Sequence, residues 1–228
     1  MQNPAVTEEL IAAFRRDDER NGKLYTDLLR THGDSHKALN WRSEEAQRTR
    51  FMILAEIGIA ETSSVLDVGC GIGDFLAYLR SRGYRGAYCG IDLASAMVGR
   101  AKERFPDASF NVANLLDDQC GTDGDFDFVV ASGIFYRRSE EPFLYLSLIV
   151  RRMFDLCRVG TAFNSLSTYA DQPGQQGEFR ADPLEVLDAC RRMTPFVALC
   201  HDYHLGDFSI YMRRSARLLL SDRLLRMS

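Results

Sequence analysis

The apolar residues in the first quarter of the chain recur at the spacing of amphipathic helices. This spacing predicts one or two helices over residues 7–30, and Gly22 marks where a break between two helices would fall. Residues 31–41 are polar and predict a loop. Ser43 is followed by two glutamates, the pattern of an N-cap and acidic first turn, so a further helix is predicted from there to about Ile57.

From Val65 onward, short apolar runs alternate with amphipathic segments. The runs predict seven strands, at 64–68, 87–91, 109–113, 126–131, 160–165, 196–203 and 207–213. The segments between and after them predict helices at 73–82, 95–104, 141–157, 183–193 and 215–226. This alternation is typical of an α/β fold, a Rossmann-like doubly wound sheet with helices on both faces.

The last two predicted strands depart from that alternation. Only a short turn at Leu205–Gly206 joins them, and so short a link makes an antiparallel hairpin. We therefore predict a mostly parallel seven-stranded sheet with a terminal antiparallel hairpin, preceded by N-terminal helices. The predicted divisions are a helical cap or lid over 1–58, a Rossmann-like domain over 59–214 and a C-terminal helix or tail over 215–228. The polar loop 171–179 is a candidate lid.

Composition excludes several classes of function. The net charge of −4 offers no general attraction to nucleic acid or an anionic membrane. The six cysteines form no C-x-x-C pair, and neither histidine pair (His32 with His36, His201 with His204) has the spacing of a metal site in its predicted element, so no metal is expected. A signal peptide and a membrane span are both missing from the pattern. We expect a cytoplasmic protein, monomeric or homodimeric, that acts on a small molecule and binds neither nucleic acid nor membrane.

The stretch "VLDVGCGIGDFLAYL", residues 65–79, carries the strongest chemical signal. Asp67 precedes three glycines at alternate positions, Gly69, Gly71 and Gly73, between a predicted strand and a predicted helix. Such a turn lets a ligand approach the backbone at the carboxyl end of the first strand. The third glycine stands one place too early for a dinucleotide fingerprint, and no Gly-Lys-Ser/Thr follows, so a phosphate-binding P-loop is excluded too.

The D-x-G-x-G-x-G run resembles motif I of the class I S-adenosylmethionine-dependent methyltransferases. In "YCGIDLASAMV" the second strand ends in Asp92, nineteen residues past Gly73, where a carboxylate can accept hydrogen bonds from both ribose hydroxyls. "FNVANLLDD" is similar to the third-strand motif of that family and "FDFVVASGIFY" to its fourth strand and following loop. The terminal hairpin also sets this family apart from dinucleotide-binding folds.

The resemblance implies S-adenosylmethionine as cofactor and assigns residues to it. Asp67 and Gly69 would hold the methionine amino group over the bend that Cys70 and Gly71 continue, and Asp92 would bind the ribose. The remaining assignments are Leu93 and Met97 beside the adenine, Asn114 and Leu115 at its edge, and Ser132 at the methionine end. Plain structural roles stay open: Asp92 as a helix N-cap, Leu93 and Met97 as core residues, Asn114 as a loop residue.

Methyl transfer needs an aligned acceptor, exclusion of water and aromatic faces near the cationic sulfur. The aromatic candidates are Tyr25, Trp41, Phe135, Tyr136, Tyr169 and Phe179. Among them Tyr136, Tyr25 and Tyr169 are the predicted catalytic residues, and Asn164, at the end of the fifth strand, is a predicted contact to a polar substrate.

The predicted function is methyl transfer from S-adenosylmethionine to a small-molecule acceptor in small-molecule biosynthesis. A weaker resemblance, carried by "GIFYRR", "FNSLSTYAD" and "HDYHLGDFSIYMRR", is to the azetidine-2-carboxylate synthases. It implies the alternative that S-adenosylmethionine is itself the substrate and is cyclised to azetidine-2-carboxylate and methylthioadenosine. A sensor that binds the cofactor without catalysis is the second alternative.

Overall fold

The computed structural model describes residues 7–117, 122–137, 140–171, 174 and 177–216. The predicted helix 215–226 lies outside the described residues from position 217 onward, as do Cys120 and four positions of the candidate lid, 172–173 and 175–176.

The N-terminal segment forms one long helix rather than two. The described helices are α1 (Glu8–His32), α2 (Glu44–Ala55), α3 (Asp74–Arg80), α4 (Ser95–Arg104), α5 (Pro142–Leu156) and α6 (Pro183–Arg191). Of the two predicted alternatives the single helix is observed, because α1 continues through Gly22 and packs that turn against the backbone of Leu93. The predicted loop 31–41 contains a short 3₁₀ helix, His36–Leu39. Ser43 is confirmed as the N-cap of α2, since its hydroxyl accepts a hydrogen bond from the Ala46 N–H at 3.0 Å.

The seven strands form one mixed sheet, which confirms the predicted fold class. They are β1 (Val65–Val68), β2 (Tyr88–Asp92), β3 (Ser109–Val112), β4 (Phe126–Ala131), β5 (Cys157–Leu166), β6 (Val197–Cys200) and β7 (Asp207–Arg213). Their order is β3-β2-β1-β4-β5-β7-β6. The first five run parallel, and β7 lies antiparallel between β5 and β6.

The terminal hairpin is looser than predicted. Because β6 ends at Cys200, the connection to β7 runs over residues 201–206 instead of the two residues of a tight turn. His201 and His204 therefore both lie in this connection and not in a strand, so the spacing argument made for them in a predicted strand does not apply.

Two apolar layers sandwich the sheet. On one face α5 and α6 pack against β1, β4, β5 and β7, together with Phe14 of α1; on the other, α2, α3 and α4 cover the same sheet. Phe51 and Leu54 of α2 share this second layer with Val65 of β1. The boundary predicted near residue 58 stays a prediction, although α2 is packed directly on the sheet.

The topology places the ends of three strands together. The chain runs outward from β1 to β2 and β3, then returns to the other side of β1 as β4. The carboxyl ends of β2, β1 and β4 are therefore neighbours, and a reversal of strand order at this edge is where open α/β sheets bind ligands. Among the described residues, no helix combines the length and the hydropathy that crossing a bilayer would require.

Candidate active site

A cavity lies at the carboxyl ends of β2, β1 and β4, beneath α1 and the 3₁₀ helix. Its empty volume, open mouth included, is about 1070 Å³. All ten residues assigned to the cofactor from the sequence line it: Asp67, Gly69, Cys70, Gly71, Asp92, Leu93, Met97, Asn114, Leu115 and Ser132. Two of the predicted catalytic residues, Tyr25 and Tyr136, line it as well. The structure thus gathers into one cavity residues that are up to 111 positions apart in the chain.

The glycine turn after β1 forms the floor of this cavity. The N–H groups of Gly69 and Cys70 both donate to the Ile91 carbonyl, at 2.8 and 3.0 Å, which ties the turn to the end of β2. Gly69 has a φ of 74°, and a Cβ there would lie 2.3 Å from Cγ2 of Ile134. Gly71 has a φ of 53°, and its Cβ would lie 2.6 Å from Cδ2 of Leu39. Only glycine combines this backbone conformation with such close approach.

Asp92 organises the turn from the end of β2. One carboxylate oxygen accepts from the Gly71 N–H at 2.9 Å, and the other accepts from the Ala94 N–H at 2.8 Å. The second bond spans two positions and closes the turn that leads into α4. The N-cap of α4 is Ala94, so Asp92 is not the helix cap; its carboxylate organises this turn and faces the cavity. Burial raises the pKa of Asp92, and the backbone donors partly oppose that rise. A carboxylate has about four acceptor positions, so capacity for a ligand hydroxyl remains beside the backbone donors of Gly71, Ala94 and Leu93.

Asp67 lies deeper and is only 3% exposed. The hydroxyl of Tyr88 donates to its Oδ2 atom. Burial raises the pKa of Asp67 to about 7; the Tyr88 hydrogen bond opposes the rise, and the nearby charges of Asp92 and Asp74 add to it. A cation beside Asp67 would favour the ionised form and bring this pKa down.

Two tyrosines and an asparagine close the roof of the cavity. The hydroxyls of Tyr25 on α1 and Tyr136 after β4 are 2.9 Å apart, and the Asn40 side-chain amide donates to the Tyr136 hydroxyl at 2.8 Å. Burial raises the pKa of Tyr25 the most, and the neighbouring Tyr136 raises it further. The side chain of Asn21 adds a further link by donating to the carbonyl of Arg137 at 3.1 Å. Because Tyr25 stays protonated at neutral pH, it is a hydrogen-bond donor or acceptor and not a base.

A second link joins α1 to the end of β3. The Asn114 amide donates to Oδ2 of Asp18 at 2.6 Å, and the Leu116 N–H donates to the Asn114 side-chain oxygen at 3.0 Å. Asp18 is 5% exposed and also accepts from the Tyr145 hydroxyl at 3.4 Å. Asn114 is therefore both a loop-organising residue and part of the cavity wall. Met97, which is 1% exposed, likewise serves the core and the wall at once.

Two predicted residues fall outside the cavity lining. Tyr169 is 50% exposed and its ring lies 5.9 Å from that of His201, so the expectation that it lines the site is corrected. Asn164 is 3% exposed: its side chain donates to the Ser132 hydroxyl at 3.1 Å and accepts from the Gly133 N–H at 2.8 Å. It supports the loop that carries Ser132, and the predicted substrate contact is corrected to this indirect position.

Sequence reasoning missed several residues that shape the site. They are Asp18, Leu39, Asn40, Gln47, Tyr88 and Arg137. Asp18, Leu39, Asn40 and Gln47 come from elements distant in sequence from the residues they touch, and a single sequence carries no signal for such pairs. Tyr88 and Arg137 lie within the quoted segments "YCGIDLASAMV" and "GIFYRR", but their side chains were not assigned a role. Within the part of the chain that the structure describes, no group of three or more His, Cys, Asp or Glu side chains is arranged to hold a metal.

Comparison with known proteins agrees with this geometry. Residues 65–153 match a family model described as a methyltransferase domain. Rv1506c of Mycobacterium tuberculosis, whose name describes it as a methyltransferase, is 34% identical over 169 residues, which cover 70% of this chain and 98% of that protein. Trans-aconitate 2-methyltransferase of Afipia carboxidovorans is 36% identical over 83 residues, covering 33% of this chain and 32% of that protein.

The fold is shared with solved structures. The crystal structure of magnesium protoporphyrin IX methyltransferase (ChlM) from Synechocystis PCC 6803 with bound SAH superposes with a TM-score of 0.61 at 16% identity. The match covers 87% of this chain and 100% of that one. At this identity the likeness concerns the fold alone.

Proposed function

The chain belongs to the S-adenosylmethionine-dependent methyltransferases, and from that premise we propose that it methylates a small molecule in a biosynthetic reaction. The observation that carries the proposal is the roof over the cavity. Tyr25, Tyr136 and Asn40 meet above the glycine turn from three separate segments and leave a recess under α1. A recess roofed in this way suits a small acceptor better than a side chain or base presented by a macromolecule.

The residues of the cavity fit the cofactor electrostatically. Three carboxylates, Asp67, Asp74 and Asp92, line it against the one cation Arg137 among the described lining residues. S-adenosylmethionine carries a sulfonium and an ammonium group against a single carboxylate, so its net charge is complementary to this wall.

We assign the cofactor contacts accordingly. Asp92 binds the ribose hydroxyls through the acceptor positions that Gly71 and Ala94 leave open. Asp67 and the backbone of Gly69 hold the methionine amino group, and Met97 packs against the adenine. These assignments place the adenosine over β2 and the amino-acid end over β1.

The protein's own contribution to the reaction is positioning and exclusion of water. The bound cofactor supplies an electrophilic methyl group, so no covalent enzyme intermediate is needed. Tyr25 and Tyr136 hold α1 over the cavity and keep solvent away from the reacting atoms. Asn164 fixes the loop carrying Ser132, which borders the methionine end of the cofactor. Aligning two bound reactants in this way is worth several kcal/mol, up to about 7–11 in ideal cases.

The test separates the candidate functions by their products. The protein is incubated with S-adenosylmethionine alone, with a low-molecular-weight filtrate of a cell extract, and with the dialysed macromolecular fraction, and products are followed by mass. S-adenosylhomocysteine formed only with the filtrate is the expected result. The same product formed only with the dialysed fraction would replace the small-molecule acceptor with a macromolecular one.

The incubation without an acceptor addresses the alternatives. Methylthioadenosine with azetidine-2-carboxylate in that tube would establish intramolecular cyclisation instead of methyl transfer. Binding by calorimetry with no product in any tube would favour a sensor. The Asp92→Ala variant serves as the control for non-enzymatic breakdown of the cofactor.

A further inference from the structure

Trp41, the only tryptophan of the chain, stands at the β4 side of the cavity. It follows the 3₁₀ helix, and its ring lies against Gly133, where a Cβ would come within 2.8 Å of Cη2. Gly133 itself is just past the end of β4. Trp41 is therefore separated from Asp92 by the width of the sheet from β4 to β2.

A buried ion pair lies behind this ring. The guanidinium carbon of Arg50 sits over the Trp41 ring, 4.8 Å from its centroid. Arg50 on α2 is ion-paired with Asp207 at the start of β7, and their side chains are 9% and 2% exposed. Arg50 also donates to the Ala46 carbonyl at 2.7 Å. The guanidinium is thus fixed both within its own helix and to the sheet.

The Arg50–Asp207 ion pair contributes more to the orientation of the Trp41 ring than to the stability of the fold. A buried ion pair is a weak source of stability, because removing both charges from water offsets much of their attraction. A planar guanidinium held on one side by a carboxylate presents its face in a fixed direction, and here that face lies over the indole. The pair therefore sets where the Trp41 ring lies.

We propose that Trp41 is a specificity-determining residue that bounds the space beside the transferred methyl group, and that Arg50, fixed by Asp207, is a positioning residue for it. The proposal rests on the assigned direction of the cofactor. With the ribose at Asp92 and the amino-acid end over β1, the part of the cavity that would be left for the sulfonium methyl is the β4 side, where Trp41 meets Gly133. An acceptor must enter between this ring and the sulfonium.

The proposal that Trp41 bounds this space can be tested without knowing the acceptor, by measuring the affinity for a cofactor analogue that carries a larger group in place of the methyl. Calorimetry compares S-adenosylmethionine with its analogue in which an allyl group replaces the methyl. We expect wild type to bind the analogue at least about tenfold more weakly and Trp41→Ala to bring the two affinities within about threefold. Leu39→Ala is the matched control, since Leu39 also lines the cavity but lies over Gly71, and it should keep the wild-type ratio.

Three results would overturn the role of Trp41. They are equal affinities in wild type, an unchanged ratio in Trp41→Ala, and an equal change in Leu39→Ala. Failure of the small-molecule proposal gives a different result. In that case the acceptor is found in the macromolecular fraction, while the affinity ratio of S-adenosylmethionine to its allyl analogue stays as expected.

The positioning role is tested through the fluorescence of the sole tryptophan. Arg50→Met combined with Asp207→Asn removes both buried charges, so no unpaired charge is left to unfold the protein. We expect at least a twofold rise in acrylamide quenching of Trp41 and a relaxed analogue ratio in this double variant. Arg50→Lys should change both in the same direction, because its ammonium keeps the charge but lacks the planar guanidinium. Wild-type quenching and ratio in a folded double variant would overturn the positioning role; if that variant does not fold, wild-type quenching and ratio in Arg50→Lys would do so.

Discussion

Replacing Asp92 by alanine is expected to weaken cofactor binding and to loosen the glycine turn together. The carboxylate makes two charge-assisted hydrogen bonds inside the protein, to Gly71 at 2.9 Å and to Ala94 at 2.8 Å. In the proposed complex its remaining acceptor positions receive the two ribose hydroxyls. One side chain thus serves the unliganded fold and the ligand.

The magnitude follows from these bonds. A hydrogen bond to a charged group contributes about 1.5–3 kcal/mol. Burial already raises the pKa of Asp92, which shows that its charge is held at some cost, so the net loss of stability is expected to fall short of the two bonds' sum, at about 1–3 kcal/mol. Loss of the ribose contacts is expected to weaken binding by about 1.5–3 kcal/mol, or about 10- to 150-fold in Kd.

Calorimetric titration with S-adenosylhomocysteine gives the affinity, and thermal unfolding gives the stability. Asp182→Ala is the matched control, because the Asp182 carboxylate also accepts two backbone N–H groups, those of Leu184 and Glu185 at the start of α6, and does not line the cavity. It should lower stability and leave Kd unchanged. Wild-type affinity in Asp92→Ala, or an equal loss in Asp182→Ala, would refute the ribose assignment.

Three further predictions concern other parts of the site. Because the pKa of Asp67 is raised to about 7, the folded protein keeps a proton there that the unfolded chain releases above about pH 4. The stability of the fold should therefore fall as pH rises from about 4 to 7. Cofactor affinity should rise over the same range, since only the carboxylate binds an ammonium group. Measurements of stability and cofactor affinity from pH 5 to 8 check this prediction. It would be contradicted if these quantities changed with pH as steeply in Asp67→Asn as in wild type. Gly71→Ala should destabilise the fold by about 1–2 kcal/mol or more in thermal melts, because of the φ of 53° and the 2.6 Å approach of the added Cβ to Leu39. Adding Leu39→Ala should restore only the part of the stability lost to that contact. If the second substitution restored nothing, the whole strain would lie in the backbone. Asn164→Ala should cost about 1–3 kcal/mol by leaving the part-buried Gly133 N–H without its acceptor, and retention of wild-type melting would show that the loop does not depend on it.

The amino-acid sequence by itself determined the sheet, the hairpin and the ligand end of the sheet. Alternating apolar runs and helices predict a doubly wound fold because each element must bury one face against the next. The residues at strand ends, such as Asp67, Asp92 and Ser132, were also predictable, because parallel strands bring their carboxyl ends to one edge whatever lies elsewhere.

Only the tertiary structure decided what lies above that edge and behind its walls. The Tyr25–Tyr136 contact, the Arg50–Asp207 pair behind Trp41 and the exclusion of Tyr169 all depend on how distant segments pack. No local periodicity or motif encodes such contacts, because their free energy arises only when residues more than a hundred positions apart are brought together by burial of the two apolar layers. The glycine turn and the strand-end residues of the site could therefore be read from the sequence, whereas the contact of Tyr25 with Tyr136 above them was decided by packing.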